Sequence, residues 1–263
     1  MGIIIADNFL RTPEFPHAAK RPKEITEVVE FVRKKLGFDP DPQQELVLRG
    51  GRRGIVLCTR QWGKSTVMAA KAVHLAYTTP GSLTLVMAPC GRQSGEFLRK
   101  AEEFVSRLGI KPRTDGVNDI SVVFPNGSRI VGLPENEAKI RGFSNVSLLV
   151  IDEASRVTDE AYRAMRPTLA VGDGHLWLMS TPNGKRGFLY EEWTHGGPGW
   201  EQIHVTAPDC PRIRPGFLAE ERAREGDTWF RQEYLCEFVE RDRAVFLQES
   251  IDRSVKDESG LEL

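Results

Sequence analysis

The feature that most constrains the fold of this chain is the segment 58–66, which contains a Gly-Lys-Ser sequence. It follows the apolar run 55–57 and leads into a helical pattern over residues 65–77. A buried strand, a tight loop and a helix in this order are typical of a phosphate-binding loop. Backbone N–H groups at a helix N-terminus are unpaired and carry the positive end of the helix dipole, so they hold phosphate oxygens. The segment therefore predicts a triphosphate site.

Two side chains of this loop suit a nucleotide phosphate. Lys64 would reach the β- and γ-phosphates, and the Ser65 hydroxyl would bind a Mg²⁺ ion, which prefers hard oxygen ligands. Cys58 stands where a glycine usually lies six residues before the lysine, so we expect the loop to turn with a side chain in place. The predicted ATP-binding residues of the loop are Cys58, Thr59, Arg60, Gln61, Trp62, Gly63, Lys64, Ser65 and Thr66.

Composition limits the class of protein and its partners. The 263 residues are 40% hydrophobic, which is enough to bury the core of one α/β domain, or of one domain with a small appendage. Thirty-six basic residues face 37 acidic ones, so no global positive field attracts nucleic acid and any DNA contact must be local. No apolar run approaches the ~20 residues of a membrane span. We therefore expect a cytoplasmic chain with no membrane partner. The four cysteines are scattered and include no CxxC pair, which argues against a zinc site.

The chain divides into three predicted regions. Residues 1–22 contain three prolines and predict an extended arm, residues 23–247 form the phosphate-loop domain, and residues 248–263 form a polar tail. Helices are predicted over residues 24–36, 65–77, 96–108, 217–224 and 227–236. A further short helix is predicted to start within residues 39–44 and to end at residue 48. Strands are predicted over residues 55–57, 83–89, 120–124, 128–132, 148–151, 176–182 and 237–240, with an antiparallel hairpin at 120–132.

Gln44 lies just upstream of the phosphate loop and has two interpretations. Its side-chain amide is both a donor and an acceptor, so it can recognise the donor and acceptor edge of adenine. The alternative is a polar residue on the surface of a short helix. The position in the sequence does not separate these two interpretations.

Asp152 and Glu153 follow the apolar run 148–151, which predicts a central parallel strand. Ligands bind at the carboxyl ends of strands in open α/β sheets, so both carboxylates are expected to face the phosphates. Asp152 would hold the magnesium ion, directly or through water, and Glu153 would polarise the water that attacks the γ-phosphate. The alternative is a solvated loop after a core strand, which the presence of a phosphate loop makes the weaker interpretation.

Ser180, Thr181 and Pro182 end another buried strand. We expect them beside the γ-phosphate, where a switch in their hydrogen bonds would pass the loss of that phosphate to the following loop. A plain hydroxyl-containing turn before a helix is the alternative.

Several ordered motifs together resemble the N-terminal ATPase domain of the large terminase subunit of tailed bacteriophages. The resemblance covers roughly residues 36 to 247, and a loop with an arginine before Gln-x-Gly-Lys and no first glycine is normal in that family. The motifs are Pro40-Asp41-Pro42 before Gln44, Arg60 to Ser65, Ile140-Arg141-Gly142-Phe143 leading into Asp152-Glu153-Ala154, Ser180-Thr181-Pro182, and Phe230 to Phe238.

The resemblance implies a RecA-like (ASCE-type) P-loop ATPase, with a mostly parallel central sheet, helices on both faces, an N-terminal arm and helix, and a small C-terminal appendage. It implies ATP and Mg²⁺ as cofactors. Its partners would be double-stranded DNA, further copies in a ring on a capsid portal, and the small terminase subunit, in the cytoplasm of the host cell.

The family's functional residues correspond to positions of this chain. Gln44 matches the adenine-reading glutamine, and Arg60 matches a loop arginine that senses nucleotide and takes part in catalysis. Arg141 matches an arginine proposed to act on the ATP of a neighbouring subunit, where a guanidinium would neutralise developing charge. The alternative for Arg141 is a structural role. Lys64, Ser65, Asp152 and Glu153 match the phosphate, metal and catalytic positions, and residues 180–182 match the coupling motif.

Full-length members of this family continue into a nuclease domain of the RNase H type. This chain ends in a short polar tail, so we expect no nuclease activity from it. Two other functions stay open at this point: a RecA-like helicase or nucleic-acid remodelling ATPase, and a non-catalytic, nucleotide-gated assembly module. A helicase needs a second RecA-like lobe, which we do not expect from the residues after 247.

Overall fold

A twisted sheet forms the centre of the protein. The structure is a computed structural model that describes residues 27–118, 120–136, 142–210 and 212–240. Within these ranges the strands are β1 (Arg53–Cys58), β2 (Leu83–Ala88), β3 (Ser121–Val123), β4 (Arg129–Pro134), β5 (Leu148–Asp152), β6 (His175–Ser180) and β7 (Glu201–Val205). They are ordered β3-β4-β2-β5-β6-β1-β7, and all neighbours are parallel except β3 and β4. The predicted mostly parallel sheet with an antiparallel edge hairpin is confirmed.

Helices cover both faces of this sheet. They are α1 (Val28–Leu36), α2 (Pro42–Arg49), α3 (Lys64–Thr78), α4 (Gly91–Arg107), α5 (Asp159–Met165), α6 (Gly187–His195), α7 (Pro215–Glu225) and α8 (Asp227–Glu233), with short 3-10 turns at Ala154–Arg156, Arg166–Leu169 and Ala207–Asp209. Alternate residues of β1 enter different clusters: Val56 packs with the residues of α1, α3 and α4, whereas Leu57 packs with those of α5 and α6. This period of two is what a strand buried on both faces requires.

Several elements differ from the sequence predictions: α5 and α6 were not predicted, and α8 ends at Glu233 instead of Cys236. Helix α4 begins at Gly91, five residues before the predicted start at Glu96, because its first turn is polar and carries little apolar periodicity. Strand β7 was not predicted, since it is short and only Ile203 and Val205 of its residues are buried. The strand predicted over residues 237–240 is wrong: this segment is irregular and follows Cys236, whose positive φ of 55° turns the chain.

The predicted N-terminal arm and C-terminal tail lie outside the described residues, as does the start of the first predicted helix. A small third cluster of Ala207, Leu218, Phe230 and Tyr234 supports the C-terminal helices α7 and α8. We call these two helices the C-terminal appendage. No helix within the described ranges is both long and apolar enough to cross a bilayer.

Register places three strand ends side by side. Leu57 of β1 pairs with Ser180 of β6, and Asp152 of β5 pairs with Met179 of the same strand. Because these strands are parallel, their carboxyl ends meet at one edge of the sheet. Residues distant in sequence therefore form one site at this edge.

Helix α2 is fixed against the sheet by a buried lysine. The ammonium of Lys71 in α3 donates to the backbone oxygens of Val47, Leu48 and Gly50 at 2.9, 3.0 and 2.6 Å, and it lies 4.7 Å from the ring centre of Trp177. A cation at the carboxyl end of a helix is favoured by the helix dipole. This contact sets the position of α2, which carries Gln44 to the phosphate loop.

Candidate active site

The phosphate loop turns later than the general sequence pattern implies. Cys58 is still part of β1 and pairs with Val205 of β7, so its extended backbone needs no glycine. The turn is made instead by Gln61, with a φ of 62°, and by Gly63, with a φ of 101°. Lys64 then begins the 15-residue helix α3, so the positive end of the helix dipole lies at this loop. The expectation that the loop turns at Cys58 is wrong, because the strand extends through that residue.

Gln44 supports the loop from α2. Its side-chain oxygen accepts from the backbone N–H of Asp41 at 3.0 Å, and its side-chain nitrogen donates to the Trp62 carbonyl at 3.1 Å. The guanidinium of Arg212 donates to the same carbonyl at 2.5 Å. A Cβ on Gly63 would lie 3.1 Å from the Gln44 nitrogen, so a side chain there would crowd this contact. Gln44 is 3% exposed and not a surface residue, which excludes the surface-helix interpretation.

Two predicted ATP-binding side chains lie beneath the loop. Trp62 is 1% exposed and packs in the core with residues of α3, and the thiol of Cys58 is fully buried. Burial raises the pKa of Cys58 to about 12, so this thiol stays protonated at neutral pH. The side chains of these two residues are therefore enclosed by the protein. Thr59 is also buried, and its hydroxyl donates to the Glu233 carbonyl at 3.3 Å.

The structure brings the four principal predicted residues together. The Lys64 ammonium lies 2.8 Å from Glu153 Oε1, and the Ser65 hydroxyl donates to Asp152 Oδ2 at 2.9 Å. The second oxygen of Asp152 accepts from the Glu153 backbone N–H at 3.0 Å. A hydroxyl and a carboxylate at hydrogen-bonding distance, beside a helix N-terminus, are oxygen donors that suit Mg²⁺. Ser65 and Asp152 thus fit the predicted metal site.

Burial and charge act in opposite directions at this site. Burial raises the pKa of Asp152, and the positive charge of Lys64 partly offsets this. Burial acts to lower the pKa of Lys64, but the carboxylates of Glu153 and Asp152 outweigh it and raise that pKa. Lys64 is therefore a permanent cation, available for phosphate oxygens.

Glu153 has a backbone conformation that a side chain seldom adopts. Its φ is 53° and its ψ is 42°, in the left-handed region, immediately after β5 and before the 3-10 turn at Ala154–Arg156. A non-glycine residue keeps a left-handed backbone only where the surrounding structure fixes it, and residues of this kind cluster at functional sites. The turn directs the Glu153 side chain back toward the phosphate loop, where it meets Lys64.

Ser180 connects the neighbouring strand to the segment after Glu153. Its hydroxyl donates to the Ser155 hydroxyl at 2.8 Å and accepts from the Ser155 backbone N–H at 3.2 Å. Asn183 donates to the Ser155 carbonyl at 3.4 Å. Ser180, Thr181 and Pro182 are buried. The first of the predicted coupling residues therefore contacts Ser155, which lies two residues after Glu153 in the chain.

Arg60 points to the C-terminal appendage. Its Nε donates to Glu233 Oε2 at 2.7 Å; the Arg60 side chain is 56% exposed, whereas that of Glu233 is 4% exposed. Glu233 ends α8 and belongs to the motif 230–238, to which the sequence assigned no role. Sequence alone gives no signal for this pair, because the two residues are far apart in the chain. The contact ties the phosphate loop to α7 and α8.

We expect the two partners of this ion pair to differ in their effect on stability. Arg60→Ala leaves the buried Glu233 carboxylate without its cation and should lower the free energy of unfolding by about 2–3 kcal/mol. Glu233→Gln leaves only a half-exposed arginine, which water can solvate, and should cost less than about 1 kcal/mol. Urea unfolding measures both. The double variant should be more stable than Arg60→Ala alone, and equal effects of the two single changes would contradict this account.

Three basic residues remain: Arg141, and the pair Lys185 and Arg186 that follows the coupling motif. Arg141 lies outside the described residues, so its role stays a prediction. Lys185 and Arg186, the basic pair beside the coupling motif, are exposed, and Lys185 pairs with Glu240 at 3.2 Å.

Comparison with known proteins gives one family. Its sequence profile, described as "Terminase large subunit, T4likevirus-type, N-terminal", matches residues 55–253. The large terminase subunit of Thermus phage G20c is 28% identical over 251 residues, covering 80% of this chain and 51% of that protein. That of Escherichia phage T5 is 27% identical over 217 residues, covering 80% and 49%. The chain thus spans about half the length of the curated relatives it matches.

Solved structures show the same fold. The ATPase domain of the Thermus phage P74-26 large terminase has 25% identity and a TM-score of 0.70, covering 80% of this chain and 98% of that one. The HK97 bacteriophage large terminase has 16% identity and a TM-score of 0.66, covering 80% and 54%. The large terminase of a thermophilic bacteriophage in complex with ADP has 14% identity and a TM-score of 0.63, covering 76% and 54%. The predicted RecA-like α/β fold is confirmed.

Proposed function

The chain belongs to the N-terminal family of T4-like terminase large subunits, and we propose that it is the ATPase of a motor that moves double-stranded viral DNA into a capsid. The observation that carries this proposal is the pairing of Lys64 with Glu153 and of Ser65 with Asp152 at one edge of the sheet. These four side chains provide a phosphate-binding cation, a metal site and a general base within one site.

Nucleotide binding would use the loop backbone and Lys64. The N–H groups between Gln61 and Ser65 would hold the phosphates, and the ammonium of Lys64 would move from Glu153 to the β- and γ-phosphate oxygens. Glu153 would then be free to accept a proton. The structures of the thermophilic bacteriophage terminase in complex with ADP and with ATP-γ-S support a nucleotide as the ligand.

Hydrolysis would take place at the γ-phosphate. Glu153 accepts a proton from a water molecule while the water oxygen bonds to the γ-phosphorus. The bond from that phosphorus to the β–γ bridging oxygen breaks, and ADP leaves with the bonding electrons. A Mg²⁺ ion held by Ser65 and Asp152 would supply positive charge to the phosphate oxygens. Lys64 would neutralise charge on the same oxygens.

The contact between Ser180 and Ser155 would transmit the state of the site. A change in position of Glu153 moves Ser155, which shares two hydrogen bonds with Ser180. Ser180 leads through Thr181 and Pro182 into the loop with Lys185 and Arg186, which we propose as the local DNA contact. Further copies in a ring on a capsid portal, and the small terminase subunit, are the proposed protein partners in the host cytoplasm.

The ATPase rate per chain tests the motor assignment when it is measured against protein concentration, with and without double-stranded DNA. A ring motor should show a specific rate that rises with concentration and rises again with DNA. A specific rate independent of both would contradict a ring motor. Strand displacement would favour the helicase alternative, and Mg²⁺–ATP binding without phosphate release would favour the assembly module.

We expect Arg141→Ala to abolish hydrolysis while Mg²⁺–ATP affinity is retained. An arginine supplied by a neighbouring subunit acts on the transition state, so its loss should lower the rate by about 10³- to 10⁵-fold. Phosphate release and nucleotide titration measure the two effects. Arg163→Ala, on the exposed face of α5, is the matched control and should change neither. Loss of affinity in the Arg141 variant would indicate the structural role instead.

A further inference from the structure

A cavity lies between the predicted active site and α4, beside Ser65 and Asp152, the two residues proposed to bind the metal ion. Its volume is about 180 Å³, and its lining includes Ser65, Asp152 and Glu153 on one side and Arg92, Glu96 and Lys100 of α4 on the other. None of the described loop residues from Thr59 to Gly63 lines it. The cavity therefore lies on the metal side of the phosphate loop and not above the loop itself.

The charges around this cavity are unequally paired. Glu96 is paired with Arg99 at 3.0 Å, and Glu153 is paired with Lys64 at 2.8 Å. When Lys64 moves to the nucleotide, as proposed above, the proton that Glu153 takes from water neutralises this carboxylate. Lys100 and Arg92, in contrast, form no hydrogen bond or ion pair with another residue in the described part of the chain. With Asp152 directed to Ser65 and the proposed metal ion, two cations are left to face the cavity.

Lys100 is the more enclosed of these cations. It is half-buried, whereas Arg92, which also lines the cavity, is exposed. Burial lowers the pKa of Lys100, and the charge of Asp152 opposes this. An ammonium that is partly removed from water without a hydrogen-bonding partner is costly, and an anion in the cavity would relieve that cost.

We propose that the cavity binds the inorganic phosphate released from ATP, with Lys100 as its principal ligand and Arg92 at its exit. The proposal rests on the function proposed above, because the γ-phosphate is cleaved between Glu153 and the metal pair, next to the cavity. ADP would still occupy the phosphate loop on the other side. Phosphate would then leave along α4 without passing the bound nucleotide.

The test measures the thermal unfolding midpoint of the chain with saturating Mg²⁺–ADP while inorganic phosphate is added at constant ionic strength. Phosphate should raise the midpoint of the unchanged chain, because a ligand that binds only the native state stabilises it. Lys100→Met should need a phosphate concentration at least about tenfold higher for the same rise in midpoint. This is the factor expected from losing one hydrogen bond to a charged group. Lys100→Arg should retain most of the effect.

Lys111→Met is the matched control, since it removes the same charge at an exposed position that does not line the cavity. It should respond to phosphate like the unchanged chain. An equal response of Lys100→Met, or no response of the unchanged chain, would overturn the phosphate site. Equal weakening of Mg²⁺–ATPγS binding in Lys100→Met would place Lys100 on the bound triphosphate and would also overturn it. The shift in unfolding midpoint caused by Mg²⁺–ADP alone tests nucleotide binding separately. Failure of the proposed function can therefore be distinguished from failure of the phosphate site.

Discussion

Glu153→Gln is expected to lower ATP hydrolysis by about 100- to 10,000-fold, the usual contribution of a general base. The amide keeps the length of the side chain and can still accept a hydrogen bond from Lys64, but it cannot take the proton of the attacking water. Mg²⁺–ATP affinity should be retained, because the change removes a negative charge near the phosphates. Phosphate release measures the rate, and titration with a nucleotide analogue measures the affinity.

Glu160→Gln provides the matched control for this experiment. Glu160 is exposed on α5, seven residues further along the chain, and the substitution removes the same charge. It should leave both rate and affinity unchanged. Normal turnover in the Glu153 variant would exclude Glu153 as the base and would remove the central support for an ATPase mechanism at this site.

Trp62→Ala should be among the most destabilising single changes in the chain. The indole is 1% exposed and packs in the core beneath the phosphate loop, so its removal should lower the free energy of unfolding by about 3–5 kcal/mol. The loop would lose its anchor in the core. The backbone carbonyl of residue 62, which accepts from Gln44 and Arg212, would then be held less firmly. We therefore expect Mg²⁺–ATP affinity to fall as well. Urea unfolding and nucleotide titration give the two values.

The control for this prediction is Trp229→Ala. Trp229 is 37% exposed on α8, where its ring meets Tyr234 edge-on, and its removal should cost about 1 kcal/mol. Trp62→Phe keeps an aromatic ring in the core and provides a folded variant if the alanine variant does not fold. If Trp62→Ala were no more destabilising than Trp229→Ala yet lost ATP affinity, the indole would contact the nucleotide instead of supporting the loop from the core.

The strands and helices that enclose the site were largely predictable, because their signals are local. The apolar run before the loop and the paired acids after β5 each fix an element from a few consecutive residues. Strand β7 carries a weak pattern and was missed, since only two of its side chains are buried. The segment 237–240 resembles a strand in its composition, but a strand also needs a neighbour to pair with, and the turn at Cys236 directs the chain elsewhere.

The site itself was predictable only in its chemistry. A lysine and a serine before a helix, and two acids after a strand, identify a phosphate and metal site from their residue types. The contact of Gln44 with the Trp62 carbonyl was not predictable, because it depends on how α2 packs beside the loop, whereas the contact of Gln44 with Asp41 is a local capping box of α2. The partner of Arg60 was likewise unknown, since Glu233 reaches it through the packing of α7 and α8.

The sequence by itself therefore determined that a phosphate loop precedes a helix and that Asp152 and Glu153 end a central strand, because both follow from short-range patterns of polarity. Only the tertiary structure decided that the loop turns at Gln61 and Gly63, that Trp62 supports it from below, and that Lys100 faces the metal side. These facts depend on which strand lies beside which and on how helices pack across them. Parallel register places the ends of β1, β5 and β6 at one edge, and that arrangement turns separate motifs into one site.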